Sequence, residues 1–96
     1  MSELSGYRLM WIMTLFDLPV GTKKERKAAT DFRKLLLDQG FEMAQFSVYM
    51  RFCSGKEQTE TYCKRIREAL PEGGKVDILT ITEKQYENII SFAGHV

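Results

Sequence analysis

An α+β domain, one antiparallel sheet with two helices on one of its faces, is predicted by three features of the 96-residue chain. Runs rich in aromatic, β-branched and methionine residues stand at 7–17, 41–53 and 75–82. Two segments with helical spacing, 23–39 and 56–70, are interleaved with them. The middle run is long enough for two short strands, with a break at Gln45 or Phe46. The resulting order, β-α-β-β-α-β, is that of the ferredoxin-like split β-α-β domain, here with a small β addition at the carboxyl end.

The elements follow in chain order. Tyr7 to Asp17 is apolar on both alternating faces: Leu9, Trp11, Met13 and Leu15 on one, Met10, Ile12 and Phe16 on the other. A strand of that kind is covered on both sides. Pro19-Val-Gly-Thr is a turn, with Thr22 placed to cap the helix Lys23 to Gln39. Ala28, Ala29, Phe32, Leu35 and Leu36 form its buried stripe, and Gly40 stops it. In the second β region, FEMAQ and SVYMRF, Val48, Met50 and Phe52 share one face while Ser47, Tyr49 and Arg51 share the other. Lys56 to Leu70 is the second helix, with Tyr62, Ile66, Ala69 and Leu70 inward and Pro71 as its stop. KVDILTIT, Lys75 to Thr82, is a strand by composition. TEKQYEN is a helical turn with Thr82 as cap and Gln85 completing a capping box, and IISFAG is a short last strand.

Residues 1–96 make one domain, because a chain of this size buries roughly two-thirds of its unfolded surface in a single core. Lys and Arg number 14 against 13 Asp and Glu, so any nucleic-acid binding must come from local clustering. The two cysteines, Cys53 and Cys63, form no CxxC pair, and the single histidine is His95; a zinc site is not expected. No basic start followed by an apolar stretch marks a leader in residues 1–8, and no apolar run approaches the ~20 residues of a membrane span. A cytoplasmic protein with reduced thiols and no membrane partner is expected.

Two helices cover only one face of such a sheet. A second copy packed against the open face is the economical cover for a strand that is apolar on both sides, so a two-fold homodimer is expected. Asp17 is in phase with Leu9, Trp11, Met13 and Leu15, at the rim of that interface. As a lone turn acid it would bond its own downstream backbone. Paired with its copy across the axis it would repel, and a divalent cation would relieve the repulsion.

The first helix carries Lys23, Lys24, Arg26, Lys27, Arg33 and Lys34 against Glu25 and Asp31. Arg26 and Arg33, two turns apart, share a face; Lys23, Lys27 and Lys34 form a neighbouring stripe. Such a run is either a solvated face or a surface for backbone phosphates. Ser47 has no His or Lys beside it in sequence and would at most hydrogen-bond a phosphate or a metal-held water. An RNA-recognition domain would need RGFGFV-like aromatics on its third strand, which FSVYMRF does not supply. A small-molecule regulatory domain would favour Gly-rich strand–helix loops, which DLPVGT resembles only faintly.

The combination FDLP, ERK, FRKLLLDQGF, QFSVY and LTITEKQ resembles the CRISPR-associated protein two family, the small subunit of the spacer-acquisition complex, and is similar to its type II members. The resemblance implies a ferredoxin-like homodimer in which Asp17 is the catalytic, metal-binding acid and Mg²⁺ the cofactor. It implies an endonuclease acting on RNA or duplex DNA, and a bridge between integrase subunits that supports the DNA being inserted. Arg26 and Arg33 fall in the family's arginine-bearing helix and Ser47 in its QFSVY strand; with Lys23 and Lys27 they are the expected nucleic-acid contacts. A non-catalytic DNA-binding subunit and a toxin-like RNase for single-stranded RNA are the alternatives. Many relatives continue past the equivalent of Ser91–Gly94 with a strand that docks on the partner or the integrase, whereas this sequence ends at Val96.

Overall fold

The computed structural model describes residues 9–94. Tyr7 and Arg8, expected to begin the first strand, the stretch 1–8 read for a leader, and His95 lie outside them. The elements are β1 (Met10–Asp17), α1 (Lys23–Asp38), β2 (Glu42–Gln45), β3 (Val48–Cys53), α2 (Lys56–Glu68), β4 (Lys75–Thr82) and the short α3 (Glu83–Glu87). The sheet order is β2-β3-β1-β4, antiparallel throughout. This is the expected α+β, ferredoxin-like arrangement, with β1 central and paired along both edges.

Ile12, Thr14 and Phe16 of β1 are buried beneath the helices. Ile12 and Phe16 meet Phe32 and Leu36 of α1, Ile66 of α2, and Tyr49 and Cys53 of β3 in one cluster. The Phe16 ring meets Phe32 edge-on at 5.4 Å, which fixes α1 across the strand. Thr22 and Glu25 form a reciprocal capping box at the start of α1, so two orphan backbone donors are satisfied there. Gly40 ends the helix with φ +88, and a Cβ at that position would lie 3.2 Å from Arg51 Nε. The positive φ favours glycine there, and a larger residue would also press on the Arg51 side chain.

Arg51 does not sit on a solvated strand face. Its guanidinium turns under the helices, donates to the Gln39 carbonyl at 2.7 Å and to the Tyr62 hydroxyl at 2.8 Å, and lies 4.0 Å from the Tyr62 ring centre. It thereby satisfies a carbonyl at the end of α1 and ties that helix to β3 and α2. Arg51→Met is expected to cost about 2–3 kcal/mol, from hydrogen bonds to a charged donor and the cation–π interaction. Urea denaturation at fixed pH checks this.

Burial pushes the Cys53 thiol above the ordinary range, against a smaller lowering by Arg51. The raised folded value means the contribution to stability is complete below about pH 8.5 and is lost as pH rises through the folded value. Urea midpoints should therefore fall at alkaline pH, and the fall should be shallower in Cys53→Ala.

Four expectations differ from the structure. Ser47 lies in the turn before β3, not in the strand. Leu70 is 48% exposed, because α2 ends at Glu68 and the chain turns away before Pro71. The second face of β1 has a partial cover within the chain: α3 folds onto it, Trp11 stacking on Tyr86 with ring centres 3.8 Å apart and donating to Glu83 at 3.1 Å. Finally, the small carboxyl-terminal β addition is not formed among the described residues: 89–94 make no strand. Ile89 and Ser91 leave α3 over the middle of the open face, beside Met13, Leu15 and Met50. Both β1 and β3 are already paired on each edge, so no free ladder is available there.

Candidate metal and nucleic-acid site

The geometry around Asp17 follows from β1. Trp11, Met13 and Leu15 point away from the helices, and Asp17, exposed at the end of the strand, continues that phase onto the open face. Leu18-Pro19 then ends the strand and turns the chain toward the Thr22 cap. The Phe16 amide donates to the Ser47 carbonyl at 3.0 Å, which brings the β2–β3 turn beside Asp17. On the other side β4 begins close by. A Cβ at Gly74 would sit 2.5 Å from Leu18 Cδ2, so a larger residue there would have to displace that methyl where the chain enters β4 beside the end of β1.

Two charged residues missed in the sequence share this corner. Lys75 pairs with Asp17 across the β1–β4 ladder, and Asp77 pairs with Leu15, so both lie on the open face with Asp17. Lys75 Nζ lies 3.5 Å from Asp77 Oδ2. Within KVDILTIT they read as the polar positions of an alternating strand; only the register brings them to Asp17.

The cations of α1 lie elsewhere. Ala28, Asp31 and Leu35 face α2 across a small cleft with Ala69 and Pro71. At 100° per residue, Lys23, Lys27 and Lys34 point away from the sheet, and Arg26 and Arg33 occupy the flank opposite α2. Lys27 pairs with Asp31 at 3.1 Å, the solvated i,i+4 arrangement. Arg26 folds back to donate to the Val20 carbonyl at 3.2 Å, on the loop that follows Asp17. Arg33 Nε is buried without a hydrogen-bond partner among the described residues. The outward lysine stripe and Asp17 are thus on opposite faces of one protomer, and Arg26 is the α1 cation tied to the loop that leaves Asp17.

A magnesium ion takes oxygen ligands, keeps several waters and uses one or two carboxylates. Asp17 is an exposed oxygen donor engaged in no ion pair among the described residues. No group of three His, Cys, Asp or Glu side chains suited to a metal exists among the described residues. One protomer therefore offers a partial seat, and two copies of Asp17 would fit the requirement.

The family model for CRISPR associated protein Cas2 matches residues 10–89, from the start of β1 to just past α3. The chain belongs to the Cas2 family. It is 62% identical over 91 residues to the CRISPR-associated endoribonuclease Cas2 of Paracidovorax avenae, covering 95% of this chain and 84% of that protein. It is 52% identical over 93 residues to the protein of the same name from Flavobacterium psychrophilum, covering 97% and 81%. Among solved structures, that of Streptococcus pyogenes Cas2 at pH 6.5 superposes with a TM-score of 0.63 at 16% identity, covering 86% of this chain and 99% of that one. A second, described as the crystal structure of cas2, gives 0.64 at 20% identity, covering 91% and 88%. At those identities the superpositions speak for the Cas2 fold. No helix among the described residues is long and apolar enough to cross a membrane.

Proposed function

We propose that this Cas2-family protein is a cytoplasmic, homodimeric, Mg²⁺-dependent endonuclease whose cation seat is made by two copies of Asp17, and that the same dimer binds duplex DNA as a bridge between CRISPR integrase subunits. The observation that carries the reading is the placement of Asp17 at the rim of an open sheet face that is still apolar after α3 has folded onto it. Leu15 and Leu79 on that face are 38% and 50% exposed. Relatives named endoribonucleases, at 62% and 52% identity, support hydrolysis of a phosphodiester.

When bound, magnesium would supply Lewis acidity at the phosphate and activate the attacking water. The two Asp17 carboxylates would hold the cation. Arg26, tied to the loop that leaves Asp17, and Arg33 on the same flank orient backbone phosphate. The Ser47 backbone carbonyl is bonded to β1, and from that turn its hydroxyl would donate a hydrogen bond to a phosphate oxygen or exchange one with water. Comparing single-stranded RNA with duplex DNA, with and without Mg²⁺, tests the activity and identifies the polymer.

The position of the lysine stripe favours a second role over the first. Lys23, Lys27 and Lys34 face away from Asp17, so phosphates held there are not the phosphates being cleaved. They suit a duplex lying across the outside of the dimer, as an architectural bridge requires. Neutralising Lys23, Lys27 and Lys34 together is expected to weaken duplex binding by roughly tenfold or more at moderate salt, and to lower the salt slope by about one for each phosphate no longer neutralised. Cleavage of a short single strand should change little. Spacer acquisition measured in cells, with Asp17→Ala and with the charge variants, separates the two roles.

A further inference from the structure

We propose that Lys75 is a phosphate-positioning residue of the Asp17 corner, held there by Asp77; the catalytic meaning of the corner rests on the reading of Asp17 above. Lys75 and Asp17 are directly opposed in the antiparallel β1–β4 ladder. Residues so opposed have Cβ atoms about 4.5–5.5 Å apart and share a face. A lysine in that position would ordinarily collapse onto the carboxylate opposite. Here it does not: its ammonium lies 3.5 Å from Asp77 Oδ2, two residues along the same face of β4, and no ion pair joins it to Asp17. The backbone ladder itself sets Lys75 opposite Asp17, so their juxtaposition does not depend on the charges.

This arrangement leaves the Asp17 carboxylate free for a cation, which a neighbouring ammonium bound to it would oppose. The ammonium has three donors and is ion-paired to Asp77 at 3.5 Å, so donors remain available to phosphate oxygens. Lys75 is a compact point charge on a flexible stem, suited to a backbone phosphate in either RNA or DNA. Asp77 is a positioning residue that acts through Lys75. Both side chains are largely solvent-exposed, at 78% and 65%, so exchanging them leaves the core untouched.

The test uses the whole chain and two probes of equal length, a single-stranded oligoribonucleotide and duplex DNA, bound in EDTA so that nothing is cleaved. Lys75→Met is expected to lower the slope of log affinity against log salt by about one for each phosphate the lysine neutralises, and Lys75→Arg to restore it. The polymer on which the slope changes is the one this corner grips. An unchanged slope on both overturns the proposal. Manganese-induced broadening of Asp17 NMR signals tests the tether. Asp77→Asn should weaken apparent metal affinity by roughly two- to fivefold as the ammonium relaxes onto Asp17. The double variant Lys75→Met, Asp77→Asn should regain it, and no change in Asp77→Asn overturns the tether. Because the binding measurement involves no cleavage, loss of the Asp17 mechanism would leave its outcome intact.

Discussion

Asp17→Ala is expected to lower Mg²⁺-dependent cleavage by at least roughly a hundredfold while leaving a folded dimer. The size follows from what the carboxylate would do in the proposed mechanism. A cation at a phosphodiester stabilises several kcal/mol of developing charge, and each 1.4 kcal/mol or so is tenfold in rate. The fold should not register the change. Asp17 is exposed at a strand end, the core beneath β1 is built from Ile12, Thr14 and Phe16, and the turn that follows is set by Pro19 and the Thr22 capping box. Cleavage should be measured on highly purified wild-type and variant protein side by side, with mass by light scattering. Undiminished cleavage by the variant would remove Asp17 from the mechanism. Loss of cleavage together with loss of the dimer would show that Asp17 acts through assembly instead.

Leu79→Glu is expected to convert the proposed dimer to monomer and to abolish the Mg²⁺-dependent cleavage proposed for it, with little change in the stability of the monomer fold. Leu79 pairs with Met13 at the centre of the open face, half exposed at 50%, and belongs to none of the buried cluster beneath the helices. A carboxylate there would be desolvated in a face-to-face dimer without a partner, at a cost of several kcal/mol, whereas in a monomer it stays in water. Sedimentation at micromolar concentration reads the outcome. A dimer that persists in Leu79→Glu would place the interface on another surface, and the cation seat made of two Asp17 residues would go with it.

Much of this was legible in the chain because its signals are local. Thr22 and Thr82 announce their helices through a hydroxyl three residues before a Glu or Gln, and both capping boxes are present. Gly40 marks a positive φ that few other residues adopt. The alternation in β1 assigned Asp17 to the same face as Trp11, Met13 and Leu15, because side chains in a strand change sides with a strict period of two. Strand alternation put Arg51 on one face with Tyr49, but it does not say what waits on that face. The Tyr62 hydroxyl and the Gln39 carbonyl that receive it come from two other elements. The tail after Asn88 misled for a related reason: IISFAG has the composition of a strand, but a strand exists only where a free edge can pair with it.

The order of the elements through α3, the capping boxes and the phase of Asp17 in its strand are readable along the chain, since each depends on residues within a few positions of one another. That α3 covers part of the open face, that the lysines of α1 stand opposite Asp17, and that Lys75 and Asp77 share its corner emerge from long-range packing. Those outcomes depend on the pairing register of β1 with β4 and on where the helices come to rest. Such pairings form between residues more than fifty positions apart, and a side chain carries no local mark of its distant neighbour.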